Sequence, residues 1–167
     1  MNKIFLRPWQ GQDAAELAAI ANNRNIWNNL RDQLPQPYNL TDAQQWIAHC
    51  KKQEPAVNFA IIYNEKVAGS IGCVPQKDVY RKNIEIGYFI GEQFWGNGIA
   101  TESVRIILDY IKTRFDVVRI YAEVFAHNEA SEKVLLKNGF FLESIRRKAA
   151  IKNEVLTDDH VWVKFLK

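Results

Sequence analysis

The run Gly91-Glu92-Gln93-Phe94-Trp95-Gly96-Asn97-Gly98-Ile99-Ala100-Thr101 carries the residue types best suited to holding an anion. Gly96 and Gly98 can take positive φ, so successive backbone N–H groups can converge on a phosphate, and a helix starting behind them adds unpaired amides and the positive end of its dipole. A tight strand-to-helix turn that binds nothing has the same spacing. Two phosphate motifs are excluded. Gly91 to Gly98 nearly spells the nucleotide-triphosphate loop, but Asn97 replaces its lysine and Gly98 its magnesium-binding hydroxyl. The dinucleotide fingerprint fails because Thr101 occupies the place of its third glycine. Just upstream, strict alternation in NIEIGYFI sets Ile84, Ile86, Tyr88 and Ile90 on one face and Glu85, Gly87 and Phe89 on the other. Glu85 is thus a carboxylate planted mid-strand beside the turn, a candidate general base or one half of a surface ion pair with Lys82. Downstream, Asn128 and Ser131 stand one helical turn apart, as an N-cap and a first-turn serine do.

Nucleophilic and metal chemistry find no support in the spacing. His49, His127 and His160 are scattered, Cys50 and Cys73 form no ligand pattern with them, and Cys73 lies in an apolar strand where a packed thiol is expected. Direct transfer is therefore preferred to a covalent enzyme intermediate.

The elements that must position these residues are short and alternate in type. Residues 3–7 read as a strand, Asp13 as the cap of a helix carrying Ala14, Leu17, Ala18 and Ala21, and Pro35 and Pro37 as an extended connection. Thr41-Asp42-Ala43-Gln44 has capping-box form ahead of a helix through about Lys52, with Trp46 and Ile47 on its apolar side. NFAIIY, KVAGSIGCV and NIEIGYFI then form an antiparallel meander turned at Asn64-Glu65. A helix from about Gly98 to Arg114 places Ile99, Ile106, Ile107, Tyr110 and Ile111 at helical spacing. RIYAEVF is a strand, Asn128 caps a helix with Ala130, Val134 and Leu135 inward, Asn138-Gly139 ends it, and the strands FFLESI and HVWVKFL follow. The order implies a mixed α/β class around one sheet, the late strand-helix-strand units supplying parallel neighbours.

Composition sets the remaining limits. The chain of 167 residues, 47% apolar and 25% charged, reads as one globular domain over residues 1–167. At this length the core is large enough to need neither metal nor disulfide staples. The first twenty residues lack signal- or transit-peptide form, and no apolar run approaches a membrane span, so a cytoplasmic protein without a membrane partner is expected. A net charge of +3 is too mild to mark a nucleic-acid binder.

Taken together, Gln93-x-x-Gly96-x-Gly98, then Ile99-Ala100-Thr101-Glu102, then Asn128-x-x-Ser131 and Gly139-Phe140 resemble the GNAT superfamily of N-acetyltransferases. LRPW with Asp13, and IEIGYFI before the loop, resemble its branch that acetylates the N-termini of ribosomal proteins. The likeness runs from Leu6 to about Trp162, with two departures. Asn153-Glu154 stands where Asn-Gly is common, and His160 and Trp162 fill a region where tyrosine is often found.

The resemblance implies a GNAT-like fold, with one mixed, mostly antiparallel sheet of about six to seven strands and helices on both faces. It implies acetyl-coenzyme A as cosubstrate, no metal, and a cofactor site built from Ile90, Gln93, Gly96, Asn97, Gly98, Ile99, Ala100, Thr101, Asn128 and Ser131. The catalytic pair it implies is Glu85 as base and Ser131 as donor to the departing sulfur, with Tyr88 and Tyr121 as other donors and Trp27 near the acceptor cleft. The reaction is aminolysis of a thioester, which needs a neutral amine. At pH 7 roughly a tenth of an α-amine is neutral, against roughly one part in a few thousand of a lysine side chain. The expected acceptor is a protein N-terminal amine, ahead of a polyamine or small amine. A non-catalytic acyl-coenzyme A sensor is the competing reading, and the assembly is expected to be a monomer or homodimer.

Overall fold

The computed structural model describes residues 3–166. Its seven strands are β1 (Ile4–Pro8), β2 (Asn58–Tyr63), β3 (Lys66–Pro75), β4 (Asn83–Ile90), β5 (Arg119–Phe125), β6 (Phe141–Lys152) and β7 (Val155–Phe165). They form one sheet in the order β1-β2-β3-β4-β5-β7-β6. Every neighbouring pair is antiparallel except β4 and β5. The helices are α1 (Ala14–Ala21), α2 (Arg24–Trp27), α3 (Leu40–Cys50), α4 (Ile99–Arg114) and α5 (Glu129–Lys137).

After Asn58, the run FAIIY is apolar without interruption because β2 is covered on both faces. Ile61 packs into one core with Ile71, Ile84, Ile120 and the α4 residues Val104, Ile107 and Ile111, to which α5 adds Leu135. Ala60 and Ile62 pack into a second core with Leu17 and Ile20 of α1 and Ala43 and Ile47 of α3. Toward β5 the second covering stops. Ile120, Ala122 and Val124 are buried on the α4 side, while Tyr121, Glu123 and Phe125 alternate onto the other face and stay half-buried.

Five local expectations are corrected. Parallel neighbours do not follow from the last strand-helix-strand unit, because β7 inserts between β5 and β6 and leaves β4–β5 as the parallel pair. β6 runs on through the arginine-rich stretch to Lys152 and forms a long hairpin with β7, turned at Asn153 and Glu154 with both in positive φ. The capping box of α3 is set two residues earlier, on Asn39 and Asp42, since Asn39 accepts from the Asp42 amide at 3.0 Å and Asp42 accepts from the Asn39 amide at 2.8 Å. Ala130 is exposed; Leu135 is the buried residue of α5.

Asp13 does not cap α1 with its side chain either. Its buried carboxylate instead takes two hydrogen bonds from Arg7, at 2.7 and 2.9 Å, and one from the Gln10 amide at 2.8 Å. Burial pushes the Asp13 carboxyl up, but the Arg7 and Gln10 hydrogen bonds outweigh it and hold the group below the usual carboxylate range. A carboxylate lowered in the folded state stabilises the fold fully above its unfolded value, about 3.9, and loses that contribution as pH falls through the lower folded value. Asp13→Asn is accordingly expected to cost about 1–3 kcal/mol near neutral pH. Melting curves at pH 7 and below pH 3 would check this: the gap between wild type and variant should close in acid.

Candidate functional site

The ladder between β4 and β5 ends at Glu85 opposite Tyr121, although β4 continues to Ile90 and β5 to Phe125. Beyond that pair the two parallel strands part, and cavities open on both sides of the gap. The larger, of about 800 Å³, is lined by Glu85, Gly87, Glu123, Arg146, Asp159 and the segment from Asn29 to Leu34, among others. The smaller, of about 670 Å³, is lined by Ile90, the turn from Trp95 to Thr101 and the start of α5. Asn29, Leu30, Tyr88 and Phe89 line both, so the cavities meet at the gap.

The smaller cavity holds most of the predicted cofactor set. Gly96 and Gly98 have φ of 79° and 71°, the left-handed values the turn requires. Gly98 is the N-cap of α4, and the first helical bond runs from the Glu102 amide to the Gly98 carbonyl, which leaves the amides of Ile99, Ala100 and Thr101 without an intrahelical acceptor. Asn97 closes the turn by donating to the Phe94 and Trp95 carbonyls at 3.0 and 3.1 Å. Trp95 is 48% exposed and donates from Nε1 to the Ile90 carbonyl at 2.8 Å. Gln93 lies in a single 3-10 turn, Glu92–Phe94, outside the residues that line the cavity.

Ser131 faces the gap from the first turn of α5. Asn128 accepts from its amide at 3.2 Å, and the Ser131 hydroxyl shares a 2.8 Å hydrogen bond with the Tyr88 hydroxyl. Burial pushes the Tyr88 phenol up to about 12, against the smaller lowering effect of the Ser131 bond. It therefore stays protonated throughout the neutral range. Tyr121 is on the face of β5 that carries Glu123, with its hydroxyl 3.5 Å from Glu85.

Glu85 does pair with a cation, but not with Lys82, which pairs with Asp116. One nitrogen of Arg31, Nη2, donates to Glu85 at 2.5 Å and to Glu123 at 2.8 Å. Burial opposes the charge on Arg31, yet the two carboxylates outweigh it and raise the guanidinium above its ordinary range. Arg146 bonds Glu123 at 2.6 Å and also pairs with Asp159, extending the network along the cavity wall. Lys152, only 5% exposed, donates to the Leu30 carbonyl at 2.8 Å and Asp32 at 2.6 Å, and its ammonium lies 3.1 Å from the centre of the Trp27 ring.

Arg31, Arg146, Asp159 and Lys152 carry no sequence signal of the kind that marked the glycine turn. Glu123 does, since alternation in RIYAEVF puts it on the same face as Tyr121. His160 is tied to Glu132 across β7 and α5. Burial pushes the thiols of Cys50 and Cys73 up to about 12, so both are poor nucleophiles near neutral pH. Among the described residues no group of histidine, cysteine and carboxylates is arranged to hold a metal, and no helix is long and apolar enough to cross a membrane.

A sheet parted between parallel strands, with exposed amides on one side of the gap and a carboxylate on the other, is the framework of a group-transfer protein that joins two substrates across an opening. Residues 3–141 match the acetyltransferase (GNAT) domain, and the chain belongs to that family. It is 30% identical to the probable N-acetyltransferase YjcK of Bacillus subtilis (strain 168), over 95% of this chain and 91% of that one. It is 29% identical to the uncharacterized N-acetyltransferase YoaA of the same organism, over 96% and 92%. In fold it is similar to RimL, a ribosomal L7/L12 alpha-N-protein acetyltransferase solved with coenzyme A, with a TM-score of 0.85 at 20% identity, over 98% of this chain and 94% of that one. At that identity the likeness concerns the fold alone.

Proposed function

We propose that the chain transfers an acetyl group from acetyl-coenzyme A directly to a primary amine, with the donor in the smaller cavity and the acceptor in the larger. The observation that carries this reading is the meeting of the two cavities at Tyr88 and Phe89, with Ser131 on one side of the gap and Glu85 on the other. Acetyl-coenzyme A fits the smaller cavity through its pyrophosphate, which asks for converging amides, and the turn from Gly96 to Thr101 presents them. When bound, it supplies an activated acyl carbon and a thiolate leaving group. Glu85 accepts a proton from the acceptor's ammonium. The Ser131–Tyr88 pair donates a hydrogen bond to the departing sulfur.

A protein N-terminal amine is the first-choice acceptor, because an α-amine is already partly neutral near pH 7 and needs only one carboxylate to finish the deprotonation. A polyamine is the second reading, favoured by the four carboxylates of the larger cavity: Asp32, Glu85, Glu123 and Asp159. Release of free thiol from acetyl-coenzyme A in the presence of N-terminal peptides, polyamines, amino acids or aminoglycosides separates these acceptors. A sensor module would bind the thioester and release thiol no faster with any of them.

Gly98→Val is expected to weaken acetyl-coenzyme A binding about tenfold or more in a protein that still folds. No atom lies within 4 Å of the place a Cβ at Gly98 would occupy, so the obstacle is the φ of +71°, which a β-branched residue resists, and the bulk set before the helix amides. Unchanged affinity by calorimetric titration of the folded variant would remove the turn from the donor site.

A further inference from the structure

The Arg31 guanidinium stands where an acceptor's ammonium would have to stand to give its proton to Glu85. It reaches there from outside the sheet, from the irregular segment between α2 and α3, and spans Glu85 and Glu123 with the single nitrogen Nη2. We infer that Arg31 is a displaceable internal cation that holds the acceptor's place between Glu85 and Glu123 and yields it to a cationic acceptor.

Three observations support displacement of the side chain rather than of the whole segment. Arg31 is 57% exposed, and both of its ion pairs depend on that one nitrogen, so little is lost when it swings into solvent. The segment around it is tied down: buried Lys152 donates to the Leu30 backbone carbonyl and to the Asp32 side chain, while the Asn153 side chain at the hairpin turn donates to the Asn28 side chain at 3.0 Å and accepts from the Arg24 guanidinium at 2.7 Å. Glu123 also keeps a cation when Arg31 leaves, because Arg146 stays on its other oxygen, whereas Glu85 is left without one. The position vacated therefore takes one positive charge, and the carboxylate freed of its partner is Glu85.

The chemistry of the cycle gives the exchange a direction. An ammonium competes with Arg31 for the two carboxylates on equal electrostatic terms. Glu85 takes one proton from the ammonium, the nitrogen joins the acetyl carbon as the C–S bond breaks, the nitrogen's second proton reaches the departing sulfur by way of the Ser131–Tyr88 pair, and Glu85 passes its own proton to solvent, so that a neutral amide, a thiol and an ionised Glu85 remain. A neutral amide does not compete with a guanidinium for carboxylates, so the return of Arg31 favours product release.

This inference rests on the acceptor reading of the larger cavity, and its test needs neither acetyl-coenzyme A nor an acceptor. Methylguanidinium, the head group of Arg31, is titrated calorimetrically into wild type, Arg31→Ala, Arg31→Gln, Arg31→Lys and the double variant Arg31→Ala/Glu123→Gln, with melting curves to show that each is folded. Occupation of the position by Arg31 lowers apparent affinity by the fraction of molecules in which it is open. Arg31→Ala and Arg31→Gln should therefore bind methylguanidinium about two- to fivefold more tightly than wild type, Arg31→Lys should resemble wild type, and the double variant should lose the gain. Equal affinity in wild type and in either neutral Arg31 variant, or a gain that survives Glu123→Gln, would overturn the assignment. A failure to acetylate any amine, with the methylguanidinium pattern intact, would count against the proposed reaction and leave the cation position standing.

Discussion

Glu85→Gln is expected to lower kcat by about 10²-fold at pH 7 with little change in acetyl-coenzyme A binding, the usual size of effect for losing one positioned base. The amide keeps the shape of the side chain but cannot take a proton, and the deprotonation it would have assisted is part of the transition state rather than of donor binding. Glu85 sits at the last rung of the β4–β5 ladder, where the gap begins, and on the wall away from the donor cavity. Rising pH should replace it. By about pH 9 the neutral fraction of an α-amine has risen about tenfold and is nearly complete, so about a tenfold part of the lost rate should return with a peptide acceptor and then level off, whereas with a lysine-like amine, still only a few per cent neutral, the rate should keep climbing through and beyond pH 9. A variant with wild-type turnover at pH 7, or with a defect constant across this range, would leave Glu85 an orienting group and make solvent the base.

Ser131→Ala and Tyr88→Phe are each expected to cost about 10²-fold in kcat, again without weakening the donor complex. The two hydroxyls are 2.8 Å apart and act as one donor, the phenol held protonated by its burial. Their combination in a double variant should therefore be little worse than either alone, since groups that act as a unit are not additive. Wild-type turnover in Ser131→Ala beside a large loss in Tyr88→Phe would assign the donation to the phenol alone.

The glycine turn and the start of α5 were legible because their signals are local. Two glycines at positive φ, a helix that starts directly behind them, and an asparagine one turn before a serine each declare themselves within a few residues, and the structure has Gly96, Gly98 and Asn128 in those conformations. The meander was legible for the same reason, since alternation and Asn64-Glu65 settle β2 to β4 without reference to anything distant. The acceptor side was not. Its strand order depends on β7 entering between β5 and β6, a pairing over about forty residues that no local pattern encodes, and only that insertion brings Asp159 beside Phe125 and Arg146 beside Glu123. Arg31 lies in a segment without periodicity, and its partners are 54 and 92 residues away. Lys152 was hidden by its type, because lysine is rarely buried. The Asp13 cap erred through competition: Arg7 and the Gln10 amide claim the carboxylate before α1 can.

The acetyl group is expected to cross the gap from thioester to amine in a single complex, with no stop on the protein. Initial rates of thiol release measured over a grid of acetyl-coenzyme A and acceptor concentrations test it most directly. The geometry predicts lines that intersect in a double-reciprocal plot, and a protein whose mass is unchanged after incubation with acetyl-coenzyme A alone. Parallel lines, together with a protein heavier by one acetyl group at Cys73, would contradict it.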